Sequence, residues 1–329
     1  MLLKDSILSL AVDSSNNLGD CVLQESISLE QITNIIEDSK KTPPYLSEDA
    51  KSVYINHEMN LNEISADLIK HKVVYEPKQT IQKITINLPK VVVNVKPSDF
   101  VRVVTGQKIV DFTRRGKFLT LHLAGGDYLV VHLRMTGTLT VERADVPCAK
   151  HTNLILTFAD GQELRFVDSR GFGRWWYFTA GQTDTSGQLQ LGPEPEAVTL
   201  NYLRDHILTR KTAIKTLLLD QHIVAGIGNI YADEICFRAG IRPTRAGCSL
   251  TMAELEKLHA QIPAVIGEFI QVHHVPFAVY AQSKGTSYQN DANLRVYGRA
   301  GLPCQKCGQP LIGTRIGQRS SVYCAHCQK

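Results

Sequence analysis

Four cysteines close to the end of the chain have the spacing of a metal site. Cys304 and Cys307 form one C-x-x-C pair, and Cys324 and Cys327 form a second pair after sixteen intervening residues. One C-x-x-C turn presents two thiolates to a metal, and two such turns complete the tetrahedron that zinc prefers. No secretory signal is recognisable at the N-terminus, which favours metal over disulfides. We therefore predict one structural Zn²⁺ whose four positions are all filled by protein.

The segment between the two cysteine pairs predicts a β-hairpin. Leu311 to Tyr323 reads as two short strands, and Gly317 stands where a turn is required. Arg315 and Arg319 lie along this hairpin, either to bind phosphates or to remain as solvated surface charges.

The elements that must position such residues begin with a β-rich region. Residues 79–190 contain short segments in which apolar and polar residues alternate, and these predict an antiparallel β-sandwich. The strands expected are Ile81 to Leu88, Phe118 to Leu123, Tyr128 to Leu133, Leu139 to Val141, Leu154 to Phe158 and Leu164 to Val167.

Beyond a Gly-Pro-Glu-Pro linker, apolar residues recur at helical spacing. Residues 197–300 are therefore expected to form a helical domain, and residues 301–329 the zinc finger. The helices expected are Tyr202 to Leu208, Ala213 to Leu219, Asn229 to Ala239 and Met252 to Val272. The fold class predicted is α+β.

Charge divides the chain into an acidic N-terminal segment and a basic body. Residues 1–78 carry seven Lys, no Arg and thirteen Asp or Glu, a net charge of −6, so the rest carries +10. A basic body favours a polyanionic partner such as nucleic acid. Two short helices, Ser28 to Lys41 and Asn60 to Lys72, are expected in the acidic segment. No apolar run approaches the about 18 residues of a membrane span, so we expect a cytoplasmic protein.

Several short blocks follow one another in an order that identifies a family. They are Arg114-Arg115-Gly116-Lys117-Phe118-Leu119, His132-Leu133-Arg134-Met135-Thr136-Gly137, Asp168-Ser169-Arg170-Gly171-Phe172-Gly173, Leu191-Gly192-Pro193-Glu194-Pro195, Lys211-Thr212-Ala213-Ile214-Lys215, Gly226-Ile227-Gly228-Asn229-Ile230-Tyr231-Ala232 and Val296-Tyr297-Gly298-Arg299, before the zinc finger. From about Thr80 to Lys329 the chain resembles the formamidopyrimidine-DNA glycosylases of base-excision repair. The resemblance implies a β-sandwich, a helix–two-turn–helix module and a zinc-finger β-hairpin, with damaged duplex DNA in the cleft between them.

The resemblance also assigns roles to individual residues. Met135, Arg170 and Phe172 resemble the side chains that fill the gap left by a flipped nucleotide; packing in a core is the other reading of the Met and the Phe. The residues that resemble DNA-binding positions are His151, Arg170, Lys211, Lys215 and Asn229, although Asn229 alone would read as a helix N-cap. The loop that resembles the cover over the flipped base contains Ser283, Gly285, Thr286, Ser287, Tyr288 and Asn290.

The expected chemistry is removal of oxidised purines, formamidopyrimidine and 8-oxoguanine, followed by cleavage of the abasic site by β- and δ-elimination. Lys117 matches the lysine that assists β-elimination, and Arg319 the arginine linked to δ-elimination. Members of the family begin with Pro-Glu, and the proline amine attacks the sugar. This chain reads Met1-Leu2-Leu3 at its start and Met59-Asn60-Leu61 near the expected start of the family domain.

Three hypotheses therefore stand. The protein is an active glycosylase and abasic-site lyase, in which Lys117 could substitute as the amine; or it is a lesion-binding protein of the same fold without catalysis; or residues 1–78 result from an altered gene start. We expect a monomer of bacterial type that associates with the nucleoid through DNA.

Overall fold

Two antiparallel sheets form the first domain. The structure, a computed structural model, describes residues 80–272 and 293–329 and the two-residue strand Ile55–Asn56 (β1). The further strands of this domain are β2 (Ile81–Ile86), β3 (Ile109–Arg115), β4 (Phe118–Leu123), β5 (Tyr128–His132), β6 (Gly137–Arg143), β7 (Thr152–Phe158), β8 (Gln162–Asp168) and β9 (Arg174–Phe178). Their order is β1-β6-β8-β7-β2 in one sheet and β3-β4-β5-β9 in the other, and all pairs are antiparallel.

A single apolar core joins the two sheets. Leu139, Leu154 and Phe166 from the first sheet and Leu121 and Trp175 from the second have no exposed surface and belong to one cluster. Because alternate side chains of a strand face opposite sides of the sheet, the apolar members of the predicted alternation meet in this layer. The predicted β-sandwich is confirmed.

The sequence did not predict β3, β9 or the helix α1 (Pro97–Val104). β3 is an edge strand with only Ile109 fully buried, so it lacks a clear apolar face. β9 has the opposite difficulty, because Trp175 packs into the main core while Trp176 packs with Phe118 in a second cluster on the other face of the sheet. A strand that is buried on both faces shows no alternation.

Four helices build the second domain within the described residues. They are α2 (Leu200–Ile207), α3 (Ile214–Leu219), α4 (Asn229–Ala239) and α5 (Met252–Val272). Thr199 caps α2 by accepting a hydrogen bond from the Tyr202 amide. All four predicted helices are present, two of them with the predicted bounds. In the described part of the chain, no helix combines the length and the apolar character needed to cross a membrane.

The predicted hairpin near the C-terminus is formed by β10 (Ile312–Ile316) and β11 (Arg319–Tyr323). Gly317 lies in the turn between them with a φ of 60°, a left-handed conformation that favours glycine. The helices predicted in residues 1–78 and the loop from Ser283 to Asn290 lie outside the described residues.

Candidate DNA-binding cleft

A cavity of about 720 Å³ lies between the sandwich and the helical domain, and five of the predicted site residues line it. These five are Lys117, Met135, Phe172, Asn229 and Arg319. They come from the β3–β4 turn, the loops after β5 and β8, the start of α4 and the start of β11. Residues that are up to 202 positions apart in the sequence therefore share one concave site.

Two of the sequence blocks hold each other in place beneath Lys117. Glu194 accepts hydrogen bonds from Arg114 (2.8 Å), Arg115 (2.6 Å) and the Gly116 amide (2.8 Å). Arg115 also donates to the carbonyl of Leu191 at 3.0 Å. Burial raises the pKa of Glu194, but the Gly116 amide and the two arginines outweigh it and hold that pKa below its usual value. The linker carboxylate therefore fixes the turn from which Lys117 projects.

The Lys117 amine lies where a neutral form is accessible. Its Nζ donates to the carbonyl of Ile227 at 3.1 Å, across the cleft on the helical side. Burial, assisted by the charge of Arg319, lowers the pKa of Lys117 from 10.5 to about 8. An ordinary lysine has almost no free base near neutral pH, whereas this one has a useful fraction.

The three predicted gap-filling residues contact one another at the rim of the cavity. Met135 is 50% exposed and Phe172 is 44% exposed. The guanidinium of Arg170 lies 4.9 Å from the centre of the Phe172 ring and donates to the Met135 sulfur at 3.2 Å. Large apolar side chains at this exposure are not packed in a core, so the alternative reading does not hold for Met135 and Phe172. We call these three residues the wedge.

Asp168 joins the two loops that carry the wedge. It is 2% exposed and accepts hydrogen bonds from the Thr136 hydroxyl, the Arg170 amide (3.2 Å) and the Gly173 amide (2.8 Å). Burial raises the pKa of Asp168, but the bonds from Thr136 and from the backbone outweigh it and keep that pKa below its usual value. The carboxylate therefore stays charged and holds both loops in one arrangement.

Lys215 corrects an expectation. It has no exposed surface and forms an ion pair of 2.8 Å with the equally buried Asp233, so it does not present its charge to a phosphate in the cleft. Its Nζ donates to the carbonyl of Ser320 at 2.5 Å, and Asp233 accepts from the Ser321 hydroxyl at 2.6 Å. Lys215 therefore supports the zinc hairpin from below. The sequence did not predict this burial, because the helical spacing of apolar residues around Ile214 does not show that Lys215 faces the interior.

Asn229 is the first residue of α4, and its side chain does not cap the helix because Gly228 occupies that position. Its Nδ2 donates to the Ser320 carbonyl at 3.2 Å. Arg319, the neighbour of Ser320, is exposed at the cavity. The start of α4 and the start of β11 thus form one continuous edge of the cleft.

The other predicted DNA-binding residues lie outside the cavity lining. Lys211 is exposed just before α3. His151 is exposed before β7 with a φ of 67°, and its carbonyl accepts from the Asp168 amide at 3.0 Å. His151 therefore adjoins the loop after β8 that carries Arg170 and Phe172, which we call the wedge loop.

The four cysteines come together as the spacing predicts. Their sulfur atoms all lie within 4.8 Å of one another, and Cys304 and Cys324 are buried. A tetrahedral zinc with Zn–S bonds of about 2.3 Å needs sulfurs about 3.8 Å apart. The distances of 4.0 Å between Cys304 and Cys327 and 3.5 Å between Cys307 and Cys324 fit that requirement.

Family models match four stretches of the chain. The formamidopyrimidine-DNA glycosylase N-terminal domain matches residues 63–175, the H2TH domain of the same family matches residues 191–278, and the zinc finger found in FPG and IleRS matches residues 301–329. The N-terminal domain of Treponema pallidum Tp0624 matches residues 1–67.

Curated relatives agree with these matches. The formamidopyrimidine-DNA glycosylase of Listeria innocua is 38% identical over 77% of this chain and 93% of its own length. The enzyme of the same name from Desulforamulus reducens is 44% identical over 66% of this chain and 79% of its own length. The chain belongs to the formamidopyrimidine-DNA glycosylase family.

Solved structures of the family agree with the fold. The Lactococcus lactis enzyme in a complex with FAPY-dG containing DNA superimposes with a TM-score of 0.72 at 28% identity, over 83% of this chain and 99% of that one. The same enzyme bound non-covalently to DNA containing an AP site gives 0.69 at 27% identity, over 82% and 98%. The predicted base-excision repair class, glycosylase and abasic-site lyase, and the single structural zinc are confirmed.

Further members of the family blocks line the cavity without having been predicted as site residues, and His132 and Tyr297 are two of them. His132 pairs with Phe118, the residue after Lys117, and its Nδ1 accepts from the Arg134 amide at 3.0 Å, which leaves the proton of the neutral ring on Nε2. Tyr297 enters from the segment whose amides donate to the buried Glu234. Their positions in the family blocks could have identified them as site residues. Without the blocks, a single His or Tyr among apolar neighbours is more simply interpreted as a core residue.

Proposed function

We propose that this protein binds duplex DNA containing an oxidised purine or an abasic site, extrudes the damaged nucleotide into the cleft and cleaves the abasic strand through the amine of Lys117. The observation that carries the proposal is the position of Lys117, an amine with a lowered pKa in a cavity that faces the wedge and Arg319. Solved complexes of the Lactococcus lactis enzyme contain DNA with an AP site and DNA with FAPY-dG.

Extrusion of a nucleotide is supported by the wedge. Removing a base from a duplex leaves an apolar gap between its neighbours, and exposed apolar side chains can fill it at little cost. Met135 and Phe172 are exposed although they are large and apolar, and the Arg170 guanidinium contacts both of them. We propose that these three residues replace the extruded nucleotide.

Lys117 is favoured as the amine because the family match begins at residue 63, after 62 preceding residues. The nitrogen at the start of the family domain is therefore a peptide nitrogen, which carries no free lone pair for attack. With a pKa of about 8, roughly one quarter of Lys117 is neutral near pH 7.5.

The covalent step uses the abasic sugar in its aldehyde form. The Nζ lone pair of Lys117 attacks C1′, and the carbinolamine loses water to give a protonated imine. Loss of a proton from C2′ then expels the 3′-phosphate as the C3′–O bond breaks, which is β-elimination. We propose that Arg319, which lines the same cavity, stabilises the leaving phosphate.

The phosphates of the duplex require exposed cations and donors on both sides of the cleft. We propose that Lys211 and Asn229 bind the backbone from the helical side and His151 and Arg170 from the sandwich side. Lys215 acts indirectly, through the hairpin.

Borohydride trapping tests the proposal. Reduction on abasic duplex DNA should cross-link the wild-type protein, and Lys117→Ala should reduce the trapped fraction at least tenfold. Lys108→Ala, a lysine outside the cavity lining, is the matched control. If Lys117→Ala is trapped as efficiently as the wild type, another amine forms the imine and the assignment is wrong.

A second candidate function is lesion binding without catalysis. The residues at the start of the family domain favour it, because the chain has no Pro-Glu pair there or at positions 2 and 3. Tight, lesion-selective binding with no trapping and no strand cleavage would establish this function. Excision of 8-oxoguanine, together with trapping, would exclude it.

We also propose that the protein acts as a monomer on nucleoid DNA, with the domain limits 79–190, 197–300 and 301–329. Sedimentation of the free protein and of its DNA complex tests this proposal. The free protein should sediment as a monomer, and the complex should contain one chain per lesion.

A further inference from the structure

Lys90 lies against the wedge loop from the side of the first sheet. A β-carbon placed on Gly171 would stand 3.2 Å from Cε and 3.3 Å from Nζ of Lys90. Gly171 separates Arg170 from Phe172, so the Lys90 ammonium lies beside the residue that joins two of the three wedge residues. Lys90 itself is exposed, and none of the ion pairs in the described residues includes it.

The backbone that carries Lys90 is held firmly. The carbonyl of Asn153 accepts from the Asn87 amide (2.9 Å) and the Leu88 amide (3.1 Å), and its Nδ2 donates to the Asp168 carbonyl at 2.8 Å. On the other side, the Val93 amide donates to the Trp175 carbonyl at 3.0 Å. Lys90 and the wedge loop are thus attached to the same two strands, and their separation is set before any ligand binds.

The charges around the loop are unbalanced. Arg174 donates to the carbonyls of Gly171 (3.1 Å) and Gly173 (2.8 Å), so three cations, Lys90, Arg170 and Arg174, adjoin one loop. The carboxylate of this loop, Asp168, directs its oxygens to Thr136 and to backbone amides. Three neighbouring cations repel one another, and an anion at their centre would relieve the repulsion.

We infer that Lys90 is a DNA-binding residue, which binds a backbone phosphate of the damaged duplex beside the wedge and braces the wedge loop against the DNA. The inference rests on the proposed function, since the anion is a phosphodiester of the bound DNA. A wedge that enters the base stack pushes the flanking backbone outward, and a cation beside the loop holds the nearest phosphate in place. Lys90 adds a contact on the sandwich side to those proposed for His151 and Arg170.

The slope of binding against salt measures this contact. The affinity of wild type, Lys90→Gln, Lys90→Arg and the control Lys83→Gln for a duplex with a tetrahydrofuran abasic analogue is measured over a range of KCl concentrations. Lys83 is an exposed lysine of β2, so its substitution removes the same charge from the same domain. Lys90→Gln should weaken binding about threefold to tenfold and reduce the slope of log K against log salt by about 0.9. Lys90→Arg and Lys83→Gln should keep the wild-type slope.

An unchanged slope in Lys90→Gln, or an equal loss in Lys83→Gln, would overturn the inference and leave the proposed function intact. A wild-type protein whose affinity for the analogue did not depend on salt would instead overturn the proposed function, and this inference with it.

Discussion

Each wall of the cleft is organised by one buried aspartate, and the two aspartates work differently. Asp168, on the sandwich side, is surrounded by neutral donors from the loops that it joins. Asp233, on the helical side, forms a buried ion pair with Lys215 and connects α3, α4 and the zinc hairpin. Burial raises the pKa of Asp233 although Lys215 opposes it, whereas donors prevail over burial at Asp168.

The difference concerns what each wall has to do. In the proposed function the wedge presents apolar groups to DNA, so Asp168 has only to determine the shape of the loops that carry it. The hairpin side must keep Ser320 and Asn229 in register across separate elements, and a buried ion pair restricts all of them at once. Removing one partner of such a pair leaves an uncompensated charge, which is costlier than losing hydrogen bonds to a loop.

Loss of zinc should have the largest effect, because it removes the framework that the ion pair supports. Cys304→Ser should release the metal and unfold the hairpin that carries Arg319, and binding to abasic duplex DNA should fall about 100-fold or more, since zinc contributes on the order of 10 kcal/mol to such units. Metal analysis and fluorescence anisotropy measure both effects. Cys248→Ser, an exposed cysteine outside the cluster, is the control. If the zinc-free variant kept its affinity for DNA, the ion pair between Asp233 and Lys215 would be sufficient to hold the hairpin in place.

Asp233→Asn should be the most destabilising of the two aspartate substitutions. It leaves the Lys215 ammonium buried beside a neutral group, and we expect the free energy of unfolding to fall by about 3–5 kcal/mol. Chemical denaturation measures the change. Asp205→Asn is the control, because its pair with Arg204 is exposed and should contribute at most about 1 kcal/mol. The double substitution Asp233→Leu with Lys215→Met should recover most of the loss; if it does not, the ion pair is not the reason for it.

Asp168→Asn should cost less stability but affect lesion binding directly. The amide presents an N–H₂ group to the backbone donors, so we expect a loss of about 1–3 kcal/mol in unfolding free energy and a loop that no longer holds Met135 near Arg170. Affinity for the abasic analogue should fall about tenfold, while binding of undamaged duplex changes little. Asp145→Asn, at an exposed carboxylate in the turn after β6, should change neither quantity. An equal loss of affinity for undamaged DNA would show that Asp168 does not act through the wedge.

The order of strands, helices and cysteines was largely predictable from the sequence, because the apolar period and the Cys spacing are local properties. The strand β9 was not, since it is buried on both faces and shows no alternation. Charge was a poor guide at single positions. Lys215 reads as a surface lysine on a helix, and only the tertiary position of Asp233 explains why it is buried.

The candidate site was predictable as far as the family blocks reach. Lys117, Met135 and Phe172 stand in those blocks and do line one cavity. The residues around Lys90 in the sequence did not predict its role, because Gly171, the residue that its side chain approaches, lies 81 positions further along the chain. The chemistry of Lys117 was likewise not readable from its neighbours in sequence, since its low pKa depends on burial between two domains and on Arg319.

The Lys117 amine connects the two walls, and pH tests that connection. Its pKa is lowered to about 8, so the neutral form increases as pH rises and becomes dominant above that value. The rate of borohydride trapping on abasic DNA should increase about 20-fold between about pH 6.5 and 8.5 and then level off. Arg319→Gln removes the cation that helps to depress the pKa, so the midpoint should move upward. A trapping rate that already levels off below pH 7, or a pH profile that Arg319→Gln leaves unchanged, would contradict this environment for Lys117.

Lys211 and Lys215 offer the finest comparison on the helical wall, because the two lysines lie four positions apart and differ completely in burial. Lys211 is exposed and is proposed to bind a backbone phosphate, so Lys211→Gln should weaken all duplexes alike by about threefold and lower the salt slope by about 0.9, without changing the unfolding free energy. Lys215→Gln should do the reverse, because it leaves Asp233 buried without its cation. Stability should fall by several kcal/mol, on the order of the cost of a broken buried pair, while the salt slope of the remaining folded protein stays close to that of the wild type. Anisotropy titrations at several salt concentrations and denaturant melts of both variants give the two quantities independently. If Lys215→Gln lowered the salt slope as Lys211→Gln does, its ammonium would reach a phosphate after all, and the distinction between a DNA contact and an internal support would have to be abandoned.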